Sequence, residues 1–168
     1  MKAPPPRREM RLEIRPFTAA DTGAVIDVWL RCGLLHPGND PGKDIQRKLK
    51  VRPDLFLVGM IGATIVSTIM IGYEGHRGWI NYLGVLPGHR RRGHARRMME
   101  EAERLLRLEG CPKINLQVRN GNEAARLFYE GIGYSDSDTL GLGKRLEHDC
   151  WPGPAPSGPP SKRPCPGG

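Results

Sequence analysis

"VLPGHRRRGHARRM", residues 85–98, is the stretch on which the reading of this chain turns. It starts at the apolar end of a strand-like run, sets Arg90, Arg91 and Arg92 against Gly93, and ends in residues that open a helix. Two kinds of protein carry such a run. A nucleic-acid-binding stripe works through its charge and needs no glycine at a fixed place. A phosphate cradle needs a strand end, a glycine that lets backbone approach closely, and the unpaired N–H groups of a helix N-terminus. All the parts of the cradle are here, and small Ala95 leaves room in the first helical turn.

The flanks fix its surroundings. Upstream, "RLEIRPF" alternates Leu12 and Ile14 and, past Pro16, adds Phe17, which predicts a strand. "TAADTGAVIDVWLRC" predicts a helix with Thr18 as N-cap, Asp21 completing a capping box, and Val25, Trp29 and Cys32 on one face. "GLLHPGNDPGKDI" is turn-rich, and Asn39, Asp40 and Pro41 are ordinary turn residues. "DIQRKLK" predicts a short second helix. "DLFLVGMIGATIVSTIMIGYE" predicts two strands with a hairpin near Ile61–Gly62, and "GWINYLGVL" a further strand. Downstream, Ala95, Met98, Met99, Ala102, Leu105 and Leu106 keep the three-to-four spacing of one buried helical stripe, which Gly110 ends. "KINLQV" predicts a strand, "NEAARLFYEGIGY" a short helix capped by Asn122, and "TLGLGKRL" a last strand. The class is α+β. A mixed, mostly antiparallel sheet is flanked by helices, with one right-handed parallel crossover between residues 79 and 118.

Bulk properties bound the partners. The chain has 168 residues and reads as one domain over 11–147, between a Pro/Arg-rich extension (1–10) and a Pro/Gly-rich tail (148–168), both expected to be disordered. A net charge of +8 favours an anionic partner without naming one. Cys32, Cys111, Cys150 and Cys165 form no CxxC pair and show no metal-ligand spacing with histidine, so neither a metal site nor a disulfide framework is expected. No apolar run is long enough to span a membrane, and a cytoplasmic location is expected. Nucleic acid is disfavoured as a partner, since no aromatic RNA-binding motif, zinc spacing or helix-turn-helix signal accompanies the basic run.

Arg90-Arg91-Arg92-Gly93-His94-Ala95 resembles the Q/R-x-x-G-x-G/A signature of the GNAT superfamily of acyl-CoA-dependent N-acyltransferases. Downstream, Asn122, Ala125, Tyr129, Gly133 and Tyr134 are similar to that family's N-x-x-A-x-x-x-Y-x-x-x-G-F/Y segment. The likeness covers most of 11–147 and is nearest to bacterial YpeA-type acetyltransferases through "NDP", "YEGHRG", "YLGV", "GCPKI" and "LGKRL". It implies acetyl-CoA as cosubstrate, no metal, and a primary amine as acceptor, either a small molecule or a protein amino group. It also implies direct attack in a ternary complex, and homodimers are common in the family. Carried over, it implies that Leu83, Gly84 and Val85 pair with the pantetheine arm, the Val85 N–H acting as oxyanion donor. Arg90, Arg91, Arg92, Gly93, His94 and Ala95 hold the pyrophosphate, Asn122 touches the cofactor, and Tyr129 protonates the leaving thiolate. The strand 79–83 lacks the acid that many members place there, so Glu74 in the adjoining turn is the expected base, with His76 the alternative. Gly38 stands where this branch is expected to carry a bulky aromatic, in a loop facing the acceptor. A non-catalytic acyl-CoA-binding module is the alternative reading that the missing acid permits.

Overall fold

Apolar residues on both faces of the central strands dictate a sheet covered on both sides. The computed structural model describes residues 11–151 and 153. Its elements are β1 (Glu13–Pro16), α1 (Thr22–Arg31), α2 (Pro41–Leu49), β2 (Phe56–Ile61), β3 (Thr64–Tyr73), β4 (Gly78–Val85), α3 (His94–Leu108), β5 (Ile114–Leu116) and α4 (Glu123–Gly131). The strands form one sheet in the order β1-β2-β3-β4-β5. Three pairings are antiparallel and β4–β5 is parallel, with α3 as the crossover. The α+β class and the single parallel crossover are as the sequence implied.

Trp29 of α1 donates its indole N–H to the Thr68 hydroxyl at 3.0 Å. The neighbouring Ser67 points the other way, since a Cβ on Gly59 would meet both the Ser67 hydroxyl and Met98 of α3. Adjacent strand residues face opposite sides. Hence α1 covers one face and α3 the other. Val25, Val28 and Trp29 line the first layer, and Met98, Met99, Ala102 and Leu106 the second, all essentially inaccessible. The predicted capping box of Thr18 and Asp21 forms at the short 3₁₀ turn Ala19–Asp21 that leads into α1. Asp21 accepts from the Thr18 backbone N–H (2.8 Å) and hydroxyl (3.0 Å), and also binds Arg15 through two hydrogen bonds, at 2.7 and 2.9 Å.

Several expectations need correction. The second helix starts at Pro41, ahead of the expected Asp44, because Asp40 caps it by accepting from the Gly42 and Lys43 amides and Pro41 occupies the first turn. The strand expected over 113–118 is reduced to three residues, because β4 keeps pairing with it only as far as Ile80↔Leu116. No strand forms over 139–146. That segment is drawn toward α2 by Arg145, which donates to the Gly38 carbonyl (2.7 Å) and to Asn39 Oδ1 (3.2 Å). A period-two pattern makes a strand only where its backbone finds a ladder.

Asp149, two residues past the expected end of the domain, is buried and accepts from Lys43 (3.2 Å) and Arg47 (2.5 Å). The expected disorder of 1–10, and of the tail at 152 and 154–168, lies outside the described residues. Cys32 and Cys111 are free thiols, whereas Cys150 is disulfide-bonded, which the cysteine spacing did not suggest. Among the described residues no helix is long and apolar enough to cross a membrane, and no cluster of residues could hold a metal.

Candidate active site at the split between β4 and β5

The site begins with a break in the sheet. Thr68 pairs with Gly84 and Met70 with Asn81, so Tyr82 and Leu83 of β4 together oppose Ile69 of β3. One residue of this bulge, Tyr82, adopts a left-handed backbone with φ of 51°, a conformation that is uncommon for a bulky residue. Strict alternation would send Tyr82 to the same side as Gly78 and Ile80, toward α3. The bulge turns it to the α1 side instead, where its ring stacks on Trp29 at 3.9 Å between centroids and 16° between planes. The Thr68 hydroxyl holds the Tyr82 carbonyl at 2.9 Å. The Tyr82 hydroxyl in turn donates to Asp44 of α2 at 2.6 Å. Burial, with the Asp44 carboxylate beside it, pushes the Tyr82 phenol above its ordinary range.

Past the bulge β4 runs on without β5. The Leu86 N–H bonds back to Val66 of β3 at 2.8 Å. In the alternating antiparallel pattern, the N–H and C=O of Val85 therefore point away from β3, into the gap that β5 leaves. The Val85 carbonyl accepts from Arg90 Nε (3.0 Å) and from the Cys32 thiol (3.2 Å), and burial raises that thiol. Gly84 is required at its position, since a Cβ would lie 2.8 Å from Leu34 and 3.3 Å from the Cys32 sulfur.

The gap leads straight into the basic loop. Gly93 has φ of 76° and serves as N-cap of α3, with Arg91 also left-handed at 62°. A left-handed residue followed by helical ones turns successive N–H groups toward one point, the geometry of an anion nest. The backbone N–H groups of Arg91 to Ala95 find no acceptor among the described residues. The Nδ1 atoms of His89 and His94 are buried and likewise unpartnered, and the two rings lie 6.4 Å apart. Burial is the main reason the His94 imidazole titrates below its ordinary value, with His89, Arg92 and Arg97 adding to it. Amides without an acceptor at a helix N-terminus suit a phosphate ligand.

From the far side comes α4. Asn122 caps it by accepting the Ala125 amide at 3.1 Å, and its side-chain NH₂ has no partner among the described residues. Arg96, in the first turn of α3, reaches the Gly131 carbonyl at 3.5 Å and sets α4 beside the loop. Tyr129 packs edge-on between Phe128 and Tyr134, at 5.1 and 5.8 Å. Its hydroxyl has no hydrogen-bond partner among the described residues, and burial pushes it up to about 12.

Leu83, Gly84 and Val85 run on in the chain to residues 90–95, and Arg96 ties α3 to α4, whose N-cap is Asn122 and which carries Tyr129. Glu74 is not brought to them. It sits in the turn before Gly78, at the opposite end of β4 from Val85, about 23 Å away by the strand's rise per residue. Its carboxylate accepts the backbone N–H groups of His76 and Arg77 and so closes its own turn. Tyr82, Asp44 and Cys32 at the mouth of the gap were not singled out by the sequence. Only the bulge and the folding of α2 over it assemble them, and the capped Asp40-Pro41 start of that helix was the available sign. The open space over Gly38 is occupied by Arg145, whose guanidinium would lie 3.0 Å from any Cβ there.

A parallel pair thus parts beyond its third register step, with a nest at the following helix. The profile described as Acetyltransferase (GNAT) family matches residues 23–134. An acetyltransferase of Pectobacterium atrosepticum is 49% identical over 138 residues, covering 82% of this chain and 98% of that one. An acetyltransferase of Yersinia pestis is 48% identical over 135 residues, covering 80% and 96%. Among solved structures, AAC(6')-Iy in complex with a bisubstrate CoA analogue superposes with a TM-score of 0.67 at 14% identity, over 80% of this chain and 98% of that one. This chain belongs to the GNAT family of acetyltransferases and is an acyltransferase.

Proposed function

We propose that this protein transfers the acetyl group of acetyl-CoA to a primary amine, by direct attack within a ternary complex. The observation that carries the reading is the edge of β4 at Val85, which has no strand beside it on the β5 side and is followed by the five acceptor-free amides of residues 91–95. An extended pantetheine arm has the hydrogen-bonding pattern of a strand, and the split offers it an edge. The residues present fit the cofactor: a nest without an internal anion, orphaned histidine nitrogens, and Gly93, left-handed and with open space where a side chain would stand. When bound, acetyl-CoA supplies a thioester activated for acyl transfer.

The chain's own residues then divide the work. The Val85 N–H, aimed into the gap, is the donor for the thioester oxygen as negative charge builds on it. The amides of 91–95, with Arg90, Arg91, Arg92 and His94, neutralise the pyrophosphate. Asn122 offers its side-chain NH₂ to the same ligand. Tyr129 would give its hydroxyl proton to the departing thiolate sulfur and regain one, directly or through water, from the nitrogen as the amide forms. The raised value of the hydroxyl keeps its proton in place until the sulfur becomes basic. Glu74 has no part in this reading, and the amine enters on the side of Tyr82 and the 36–40 loop. The acceptor is a small-molecule amine or a protein amino group, and no metal takes part.

Calorimetric titration with acetyl-CoA tests the first half, and thiol release across a panel of amines and peptides the second. Stoichiometric binding displaced by free coenzyme A, with release that depends on an amine, is the expected result. Binding without release on any acceptor would favour the non-catalytic module, and no binding would overturn both.

A further inference from the structure

The acceptor side of the split carries charges that the transfer chemistry leaves unused. Arg145 lies over Gly38, where any Cβ would meet its guanidinium at 3.0 Å. Its Nη1 donates to the Gly38 carbonyl at 2.7 Å and to Asn39 Oδ1 at 3.2 Å, both neutral acceptors. The neighbouring carboxylates are held by other groups. Lys43 and Arg47 take Asp149, Arg47 also takes Glu147 and Asp44, and Asp40 accepts the amides that begin α2. Arg145 therefore has no ion pair among the described residues, and its Nε and Nη2 donate to nothing there. A guanidinium donates in a fixed planar fork, and the edge formed by Nε and Nη2 matches the two oxygens of a carboxylate.

Asn39 connects this arginine to the bulge. Burial and Asp44 raise the Tyr82 phenol while Asn39 and Arg119 act against them, so these three side chains stand about that hydroxyl. Asp44 accepts from it at 2.6 Å. Arg119, in the turn between β5 and α4, makes no side-chain hydrogen bond or ion pair among the described residues. Tyr82 lies just beyond Ile80, the last residue of β4 that pairs with β5, so the cluster stands where the split opens. Charge is separated across it. One acid, Asp44, touches the hydroxyl, and two arginines with no acid of their own flank it.

We infer that the acceptor is a small amine that also carries a carboxylate, bound by the Nε–Nη2 edge of Arg145. This rests on the acetyl-transfer reading above and narrows its acceptor. Arg119 adds positive potential for the same anion, and Asp44 keeps lone pairs to spare for the ammonium end. Two unpaired arginines disfavour a polyamine, which brings only positive charge. Gly38 belongs to the arrangement, because a larger residue there would displace the guanidinium. The carboxylate is unchanged by the reaction. The nitrogen gains the acetyl group and gives up a proton, and coenzyme A leaves as the thiol.

Thiol release from acetyl-CoA on matched acceptors reads this directly. The panel is glycine, β-alanine, γ-aminobutyrate and the common α-amino acids, each against its carboxamide and its carboxylate-free amine. At least one acid should exceed its amide about 10–100-fold in kcat/KM, the scale of a charged hydrogen-bonded pair. Arg145→Met should lose that preference through KM, while calorimetry shows acetyl-CoA affinity kept and circular dichroism shows the fold kept. Arg119→Met, whose side chain ties down no other part of the chain, should lower the preference by a smaller factor. Arg145→Glu should turn it toward diamines. Thiol release that proceeds equally well on acids and amides would overturn this inference alone. Either methionine variant keeping the full preference would overturn it as well. Failure of acetyl-CoA to bind, or no release on any amine, would instead overturn the acetyl-transfer reading, and this inference with it.

Discussion

Replacing Tyr129 with phenylalanine separates two roles that a half-buried tyrosine can play. The ring makes edge-on contacts with Phe128 at 62° and Tyr134 at 67° between planes, and these survive the change. The hydroxyl has no partner among the described residues, and burial alone raises it to about 12. Removing it breaks no hydrogen bond, so folding stability should shift by less than about 0.5 kcal/mol. If the hydroxyl protonates the leaving thiolate, turnover should fall about 100-fold or more, the loss typical of a missing general acid. That is ~2.7 kcal/mol on the barrier. Acetyl-CoA affinity, set by β4 and the basic loop, should not change.

The pH dependence supplies a second reading of the same variant. A phenol raised to about 12 keeps its proton well past neutrality, so Tyr129 contributes no alkaline fall in rate below about pH 11. Any fall at lower pH must therefore persist in Tyr129→Phe, at a reduced rate. Thiol release on an accepted amine, with a thermal melt of the same samples, measures both quantities. Turnover within twofold of the parent, in a protein that melts normally, would remove Tyr129 from the reaction.

Other substitutions test other links. Asp21, held at about 2 chiefly by its hydrogen bonds from Arg15, against an ordinary 3.8, contributes about 2 kcal/mol at neutral pH. This stability is fully present above about pH 4 and is lost as pH falls through about 2. Asp21→Asn should therefore be destabilised in urea at pH 7 and converge on the parent in acid; a gap independent of pH would refute the pairing. Tyr82→Phe gives up the 2.6 Å bond to Asp44, which keeps Arg47 at 3.2 Å. It should cost about 1–2 kcal/mol, and an unchanged urea midpoint would show that the bond contributes nothing. Gly93→Ala forces a side chain into a φ of 76°, at a cost of about 1–2 kcal/mol. It should also weaken acetyl-CoA binding in calorimetry, whereas equal affinity would separate the nest from the cofactor. Glu74→Gln should leave turnover unchanged, since its carboxylate only closes a turn; a large loss would bring that turn back into the mechanism.

Most of the site was legible because its parts are contiguous in the chain. Residues 83–95 pass from strand to nest to helix, and each step is signalled locally by apolar alternation, Gly93 and the α3 stripe. Asn122 and Tyr129 were singled out by the resemblance to the family's second segment, and the short helix that carries them was legible from its own cap. What failed depended on distant partners. Glu74 stands four residues before β4, and only the strand's length shows that it lies at the wrong end. "TLGLGKRL" has a strand's pattern but no edge to pair with, because Arg145 and Asp149 tie that segment across to α2 and its loop. The helix at Pro41 was signalled by Asp40 and Pro41, residues that turns and helix starts share.

The sequence by itself determined the class of fold, the parallel crossover, the phosphate-suited loop and the helix that carries Tyr129. Each of these follows from interactions between residues close in the chain: periodicity, caps and the backbone freedom of glycine. Tertiary structure alone decided where β4 parts from β5, and that Tyr82 turns out of its strand to stack on Trp29 and bond Asp44. It also decided that Arg145 lies over Gly38. Such features arise from packing between elements far apart in sequence, where a bulge or a distant ion pair overrides the local pattern.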